Sequence, residues 1–328
     1  MAEKMRPTTW KQWEKNVLDL EDAVRQLKEL LPSTNADRRA ELENKISTYE
    51  KTLQGAIKRL YESPDPWEKV LIARCERRPY TLDLINAVCT NFIELQGDRR
   101  FGVDNAIIGG PARIDGRAVM VIGHQKGRNI QERQMRNFAM SKPEGYRKAI
   151  RLMDMADRFG LPIVTFVDTP AADPGVESES RGISEAIAAA IQKMFEVEVP
   201  IVSAVIGEGG SGGAIGIAVA NRIMMLEHAV YSVIPPEGCA AILWRRPEMG
   251  PEAAAALNLT AQNALELKLV DEIVPEGLGG FHRNQASVMD DVKTRILGHL
   301  DELSGLSRDQ LKKDRYEKFR KMGRFSGQ

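Results

Sequence analysis

No apolar run in this 328-residue chain reaches the roughly 18 to 20 residues that a membrane-crossing helix needs, because even the stretch after Ile201 is broken by glycines between 207 and 213. Cysteine is scarce: Cys75, Cys89 and Cys239 stand far apart with no CxxC pairing, which argues against a disulfide framework and against a zinc site. A reducing compartment is expected. Neither sign of charge is in excess, since Lys and Arg total 46 and Asp and Glu total 46, so the electrostatic signature of nucleic-acid binding is missing. The opening residues, MAEKMRPTTWKQWEK, hold neither an apolar core nor a small-residue cleavage site, and a cytoplasmic location is expected.

What remains is an ordinary soluble composition, 43% hydrophobic and 28% charged, in a chain long enough for a main domain of roughly 200 to 250 residues and an appendage. The apolar residues Trp10, Trp13, Val17, Leu20, Val24, Leu27 and Leu31 recur at steps of three and four, the spacing of a coiled-coil seam, and predict a long amphipathic helix. Pro32-Ser33-Thr34-Asn35 breaks it, and Leu42, Ile46, Tyr49, Leu53, Ala56 and Leu60 resume the spacing in a second helix. Two antiparallel helices bury little alone, so this hairpin is expected to dock on another domain or subunit. Ser63-Pro64-Asp65-Pro66 ends it, dividing the chain into a hairpin at 1–63, a main domain at 64–286 and a charged helical extension at 287–328.

In the main domain a helical stretch starts near Thr81, and two β-rich arms flank Asp115-Gly116, a strong hairpin signal. A helix with Tyr146, Ile150, Met153 and Phe159 on one face leads to a strand over 162–168; another over 182–197 leads to the strand IVSAVI at 201–206, a glycine turn, and the strands RIMML and YSVI. Helix and strand alternate, which predicts an α/β core with largely parallel strands. The C-terminal run of Lys312, Lys313, Arg315, Lys318, Arg320, Lys321 and Arg324 reads first as a solvated face, with a phosphate-binding role as the alternative.

The densest chemical signal is Gly207-Glu208-Gly209-Gly210-Ser211-Gly212-Gly213-Ala214, after a buried strand and before a small-residue helix. Glycines admit a ligand close to the backbone, and the free amides of a first helical turn favour negative charge. A phosphate loop of the Walker type is excluded by the missing Gly-Lys-Ser/Thr. Two readings stay open. Gly209-Gly210-Ser211-Gly212-Gly213 matches GxSxG, with His228 and His282 downstream as candidate bases. Alternatively, backbone amides form an oxyanion hole and Ser211 only caps the helix. A second loop, Thr169-Pro170-Ala171-Ala172-Asp173-Pro174-Gly175, follows a neighbouring strand and is expected to face the same crevice. Asp168 and Asp173 read as turn or cap residues before acid–base catalysts.

The helix-to-strand run 260–274, ending Leu-Val-Asp-Glu-Ile-Val, resembles the crotonase-like superfamily. Residues 123–128 (GHQKGR), 143–149 (PEGYRKA), 168–175, 207–214, 231–240 (YSVIPPEGCA) and Arg78-Pro79-Tyr80-Thr81-Leu82-Asp83 together resemble the carboxyltransferase alpha subunits of multi-subunit acetyl-CoA carboxylases. The resemblance implies a crotonase-like α/β fold of repeated β-β-α units. It implies transfer of a carboxyl group from N-carboxybiotin, on a separate biotin carboxyl carrier protein, to acetyl-CoA, giving malonyl-CoA for fatty acid synthesis. It implies a beta subunit in an α2β2 heterotetramer, ATP used only by a separate biotin carboxylase, no cofactor covalently held by this chain, and no metal.

For the residues, the resemblance implies that the amides of Gly209 and Gly210 hold the biotin ureido oxygen. Gly207, Gly212 and Gly213 would give closeness, Thr169, Pro170, Ala171 and Gly175 would wall the pocket, and Glu237 and Gly238 would close it. Lys126 and Arg128 would meet phosphate or carboxylate. The chain departs from the pattern at Ala171, commonly glycine, and Asp173, commonly aromatic; a left-handed backbone at 171 would resist alanine. A silent scaffold is the expectation those departures raise.

Overall fold

The computed structural model describes residues 6–323, so Arg324 of the basic run lies outside the described residues. The N-terminal appendage is built from α1 (Trp10–Trp13), α2 (Lys15–Leu30) and α3 (Ala36–Tyr61). The single first helix expected from the spacing is broken at Glu14, whose backbone leaves helical geometry (φ −94°, ψ 5°). Its side chain is anchored at the break. The Glu14 carboxylate is fully buried, accepts a hydrogen bond from the Tyr61 hydroxyl, and lies 2.6 Å from Arg283. Burial alone would raise its pKa; His282, Arg283 and Tyr61 outweigh that and hold it below the ordinary carboxylate range.

Burial in the hairpin is graded. Trp10, Trp13, Val17, Ala56, Ile57 and Tyr61 at its base pack with Trp67, Val70, Leu71, Val230 and Leu259 in one apolar cluster. Towards the tip Leu27, Leu31 and Leu42 are half-buried. The base therefore docks on the main domain, while the tip covers only itself.

The main domain opens with α4 (Pro66–Ala73), started by a reciprocal cap between Asp65 and Glu68, and α5 (Thr81–Val88). β1 (Ile107–Ile114) and β2 (Arg117–His124) pair antiparallel around Asp115-Gly116, both at positive φ (49° and 80°), as a two-residue mirror-type turn demands. There follow α6 (Ile130–Met135), α7 (Pro143–Phe159), β3 (Ile163–Thr169), α8 (Val176–Ser180), α9 (Ile183–Glu196), β4 (Ile201–Gly210) and α10 (Ser211–Ile215). Then come β5 (Arg222–Leu226), β6 (Val230–Ser232), α11 (Pro236–Trp244), α12 (Gly250–Ala256), α13 (Ala261–Glu266), β7 (Glu272–Val274), α14 (Gln285–Ser304) and α15 (Arg308–Arg320). The seven strands form one sheet in the order β1-β2-β3-β4-β5-β7, with β6 paired to the far end of β4. All pairings except β1–β2 are parallel. No helix among the described residues is long and apolar enough to cross a membrane.

Three expectations are corrected. β4 does not stop at Ile206: it runs through Gly210, because β6 supplies ladder partners to Glu208, Gly209 and Gly210. Phe159 is 68% exposed, since α7 ends there at Gly160 in a left-handed cap. The basic C-terminal run is not a uniform solvated face. Arg315 is fully buried and its guanidinium donates to the carbonyls of Met194 and Val197, closing the end of α9; Lys312 and Lys318 pair with Glu198 and Asp271.

Arg283→Met leaves the Glu14 carboxylate buried without its cation and is expected to cost about 3–5 kcal/mol, read from urea unfolding at neutral pH. Adding Glu14→Gln is expected to return much of that loss, because the uncompensated charge is gone.

Candidate active site

At the carboxyl ends of the parallel strands, where α/β proteins place their ligands, β3 and β4 lead into the two loops singled out above. Gly210 is pressed against the turn after β3. A β-carbon there would sit 1.9 Å from the Pro170 carbonyl oxygen, so no side chain fits. Gly213 is similarly confined, 2.5 Å from the Ala171 carbonyl carbon. These approaches, not conformational freedom, are what demand glycine: neither residue has a positive φ.

Two cavities meet here. One, of about 230 Å³, is lined by Arg74, Glu76, Tyr80, Lys126, Gly127, Arg133, Phe138, Pro170 and Glu208. The other is a narrow cleft of about 20 Å³ that includes Gly209, Gly210, Ser232, Pro235 and Pro236 in its walls. Arg74, Pro170 and Glu208 belong to both.

A chain of alternating charges ties the strand ends together. Asp168 lies 2.7 Å from Lys126, Lys126 lies 3.0 Å from Glu208, Glu208 lies 2.8 Å from Arg74, and Arg74 lies 2.5 Å from Glu237. Asp168 also accepts the Glu208 backbone N–H at 2.9 Å. Burial by itself would raise the Glu208 pKa; Lys126 and Arg74 overcome it and bring the carboxyl down to about 2. His124, buried beneath, accepts the Asp168 N–H on Nδ1, and burial pushes its pKa down to about 3, so the ring is neutral at physiological pH.

The expected residues are therefore dispersed unevenly. Gly209, Gly210, Pro170 and Lys126 line the cavities, and Glu237 reaches them through Arg74. Gly207 is backed by Asp168, Gly212 by Ile187 and Gly238 by Ile234. Thr169 is fully buried, its hydroxyl 2.7 Å from the Ala139 carbonyl and 2.6 Å from that of Ala171, so it fastens the loop rather than facing the cavity. Gly175 caps α8. Lys126 spends its charge on two carboxylates, and Arg128 spends its own on Asp83, the carbonyls of Glu76 and Arg78 and the Tyr80 ring, so neither is a free cation for phosphate. Ala171 is not among the positive-φ residues, which removes the backbone objection to alanine there, and Asp173 accepts a hydrogen bond from the Ser178 hydroxyl in the turn before α8.

Ser211 does not cap α10, which has Gly210 at its cap and no side-chain cap bond. Its φ of 53° is the strained kind found at nucleophilic turns, yet no base serves it. His228 and His282 both pack around Tyr61 of the hairpin, with ring centroids 5.8 and 6.2 Å away, His124 contacts the Asp168 backbone, and His299 pairs with Glu272.

Sequence reasoning missed Arg74, Tyr80, Arg133, Phe138 and Glu208. Glu208 carried a signal, the one charged residue in the strand IVSAVIGEGG. The others are brought in by tertiary packing. Phe138 belongs to a turn in which Asn137, Phe138 and Ala139 all hold left-handed φ (45°, 54° and 63°), a conformation costing about 1–2 kcal/mol per residue.

The Glu208 shift gives an acid dependence. Its folded pKa lies below its unfolded value near 4.5, so its contribution is full above pH 4.5 and is lost as pH falls through about 2. Glu208→Gln is expected to lower stability at pH 7 and to make the unfolding free energy shallower on pH between 4.5 and 2, by up to about 1.4 kcal/mol per pH unit. Denaturant unfolding across that range measures it.

Comparison with known proteins gives the family and the fold. Residues 10–323 match the family described as acetyl co-enzyme A carboxylase carboxyltransferase-like. The acetyl-coenzyme A carboxylase carboxyl transferase subunit alpha of Thermus thermophilus is 51% identical over 315 residues, covering 96% of this chain and 98% of its own length. The subunit of the same name from Geobacter metallireducens is 48% identical over the same shares. Among solved structures, transcarboxylase 12S superposes with a TM-score of 0.57 at 19% identity over 74% of this chain, although this chain spans only 45% of that one. The beta subunit of Pseudomonas aeruginosa geranyl-CoA carboxylase gives 0.55 at 18% identity, over 75% of this chain and 46% of that one. The architecture is the crotonase-like α/β fold shared with these structures. With a family match across nearly its whole length, the chain belongs to the acetyl co-enzyme A carboxylase carboxyltransferase-like family.

Proposed function

We propose that this chain is the alpha half of an acetyl-CoA carboxylase carboxyltransferase. It moves a carboxyl group from N-carboxybiotin, presented by a carrier protein, to the methyl carbon of acetyl-CoA, forming malonyl-CoA. A beta subunit completes the site in a heterotetramer of two alpha and two beta chains, and a separate biotin carboxylase consumes the ATP. The reaction would run in the cytoplasm, as the first committed step of fatty acid synthesis.

The observation that carries this reading is the place of Gly209 and Gly210 at the carboxyl end of β4, in the wall of the narrow cleft that adjoins the larger cavity. With no side chains at this strand-to-helix turn, main-chain groups are what the strand end offers a ligand oxygen in the cleft. Main-chain donors are worth about 3–4 kcal/mol each when aimed at developing negative charge. The carboxylated ring supplies a carboxyl group bound through a labile nitrogen–carbon bond. This chain's part is to hold the ureido oxygen with the Gly209 and Gly210 amides, to exclude water with Pro170, Pro235 and Pro236, and to keep the strand ends fixed through Lys126, Glu208 and Arg74.

Serine hydrolysis finds no support in the histidine positions, and the scaffold reading loses its basis with the unstrained Ala171. Malonyl-CoA formation should appear only when this chain and a beta subunit are mixed with carboxybiotinylated carrier and acetyl-CoA. In that mixture Gly210→Ala is expected to lose on the order of 10²–10³ in kcat, since its methyl must displace Pro170. Ser211→Ala should keep most of the activity, and a fluorophosphonate should label neither protein. An inactive but assembled mixture overturns the proposal.

A further inference from the structure

Phe138 is 45% exposed on a cavity wall otherwise dominated by Arg74, Glu76, Lys126, Arg133 and Glu208. An aromatic ring left nearly half in water among charges gains less from folding than a buried one, and here it is held on left-handed backbone that an L-residue avoids. Strain of this kind persists only where the surroundings impose it. They do so here: the Ala139 N–H donates to the Arg136 carbonyl at 2.9 Å, the Met140 N–H to the Asn137 carbonyl at 2.8 Å, and the Asn137 side-chain amide to the Met140 carbonyl at 2.7 Å.

The turn is also registered to the glycine strand. The Thr169 hydroxyl lies 2.7 Å from the Ala139 carbonyl, and the next residue, Pro170, is the one whose carbonyl bars any side chain at Gly210. One hydroxyl thus ties the turn that carries Phe138 to the turn that abuts Gly210. Pockets that enclose whole drug-sized ligands run to about 300–1,000 Å³, so a cavity of about 230 Å³ suits a ring rather than a whole coenzyme.

We infer that Phe138 is a substrate-contacting residue: its ring is the platform against which the flat ureido ring of the carboxyl donor lies in the larger cavity, with the ring's oxygen directed past Pro170 and Glu208 into the adjoining cleft lined by Gly209 and Gly210. Aromatic faces take flat polar heterocycles in this way, by offset stacking. The inference rests on the carboxyltransferase reading above and names the residue that selects the donor.

The test uses the mixed alpha–beta complex, with carboxybiotinylated carrier and acetyl-CoA varied independently. Phe138→Ala should raise the KM for the carrier about tenfold, leaving the KM for acetyl-CoA and the melting temperature unchanged. Phe138→Tyr should restore the donor KM and Phe138→Leu should not. Phe138→Trp adds a direct readout, since its emission, after subtraction of the wild-type signal, should change with free biotin and not with coenzyme A. A rise in the acetyl-CoA KM instead, full rescue by leucine, or no change in either KM overturns the inference while leaving the carboxyltransferase reading intact. An inactive wild-type mixture sinks the reading itself and the inference with it.

Discussion

The end of the sheet depends on alternating charge. Asp168, Lys126, Glu208, Arg74 and Glu237 come from five separate segments, and each is buried or half-buried where an unpaired charge would be costly. Taking any one out exposes its neighbours to that cost, so the segments hold their spacing together or lose it together. The glycine approach to Pro170 lies two residues beyond two members of the chain, Asp168 near the end of β3 and Glu208 inside β4. Lys126 bridges those two carboxylates, and the Glu208 N–H donates to Asp168, so the strands that carry the contact are tied just before it.

The site also shows stability given up locally. The left-handed turn at 137–139, the positive φ of Ser211 and the glycines inside β4 each disfavour the folded state compared with a regular alternative. All lie around the same cavities. The surrounding core compensates: β3 is buried at every position and β4 along its whole length, which gives the strands the rigidity to impose such geometry on the loops they carry.

Much of this was legible in the sequence because it is local. Asp115-Gly116 specifies its own turn, Thr260 its own cap, and the three-and-four spacing of Val17 and Val24 its own helix. The glycine run was read as room for a ligand beside the backbone, whereas at Gly210 and Gly213 that room is taken by the turn after β3. What was not legible is long-range. The burial of Glu14 at the helix break goes with its pairing to Arg283, the fate of Arg315 with the end of α9, and the extension of β4 with β6. Arg74 and Phe138 reach the cavity by packing, and no periodicity in the chain marks them. Lys126 and Arg128 looked like free cations because their partners, Asp168, Glu208 and Asp83, are distant in sequence or hidden among turn residues.

The join between Glu14 and Arg283 has a consequence for synthesis. The two residues are 269 positions apart, so at roughly 5–20 residues per second the first is made about 13–54 s before the second. During that interval the Glu14 carboxylate lacks its cation, and Val230 and Leu259 join the cluster around Trp10 and Trp13 only late in it. Tyr61, Trp67 and Val70 are made early enough to cover Trp10 and Trp13, so the base of the hairpin can pack well before the charge of its buried carboxylate is balanced.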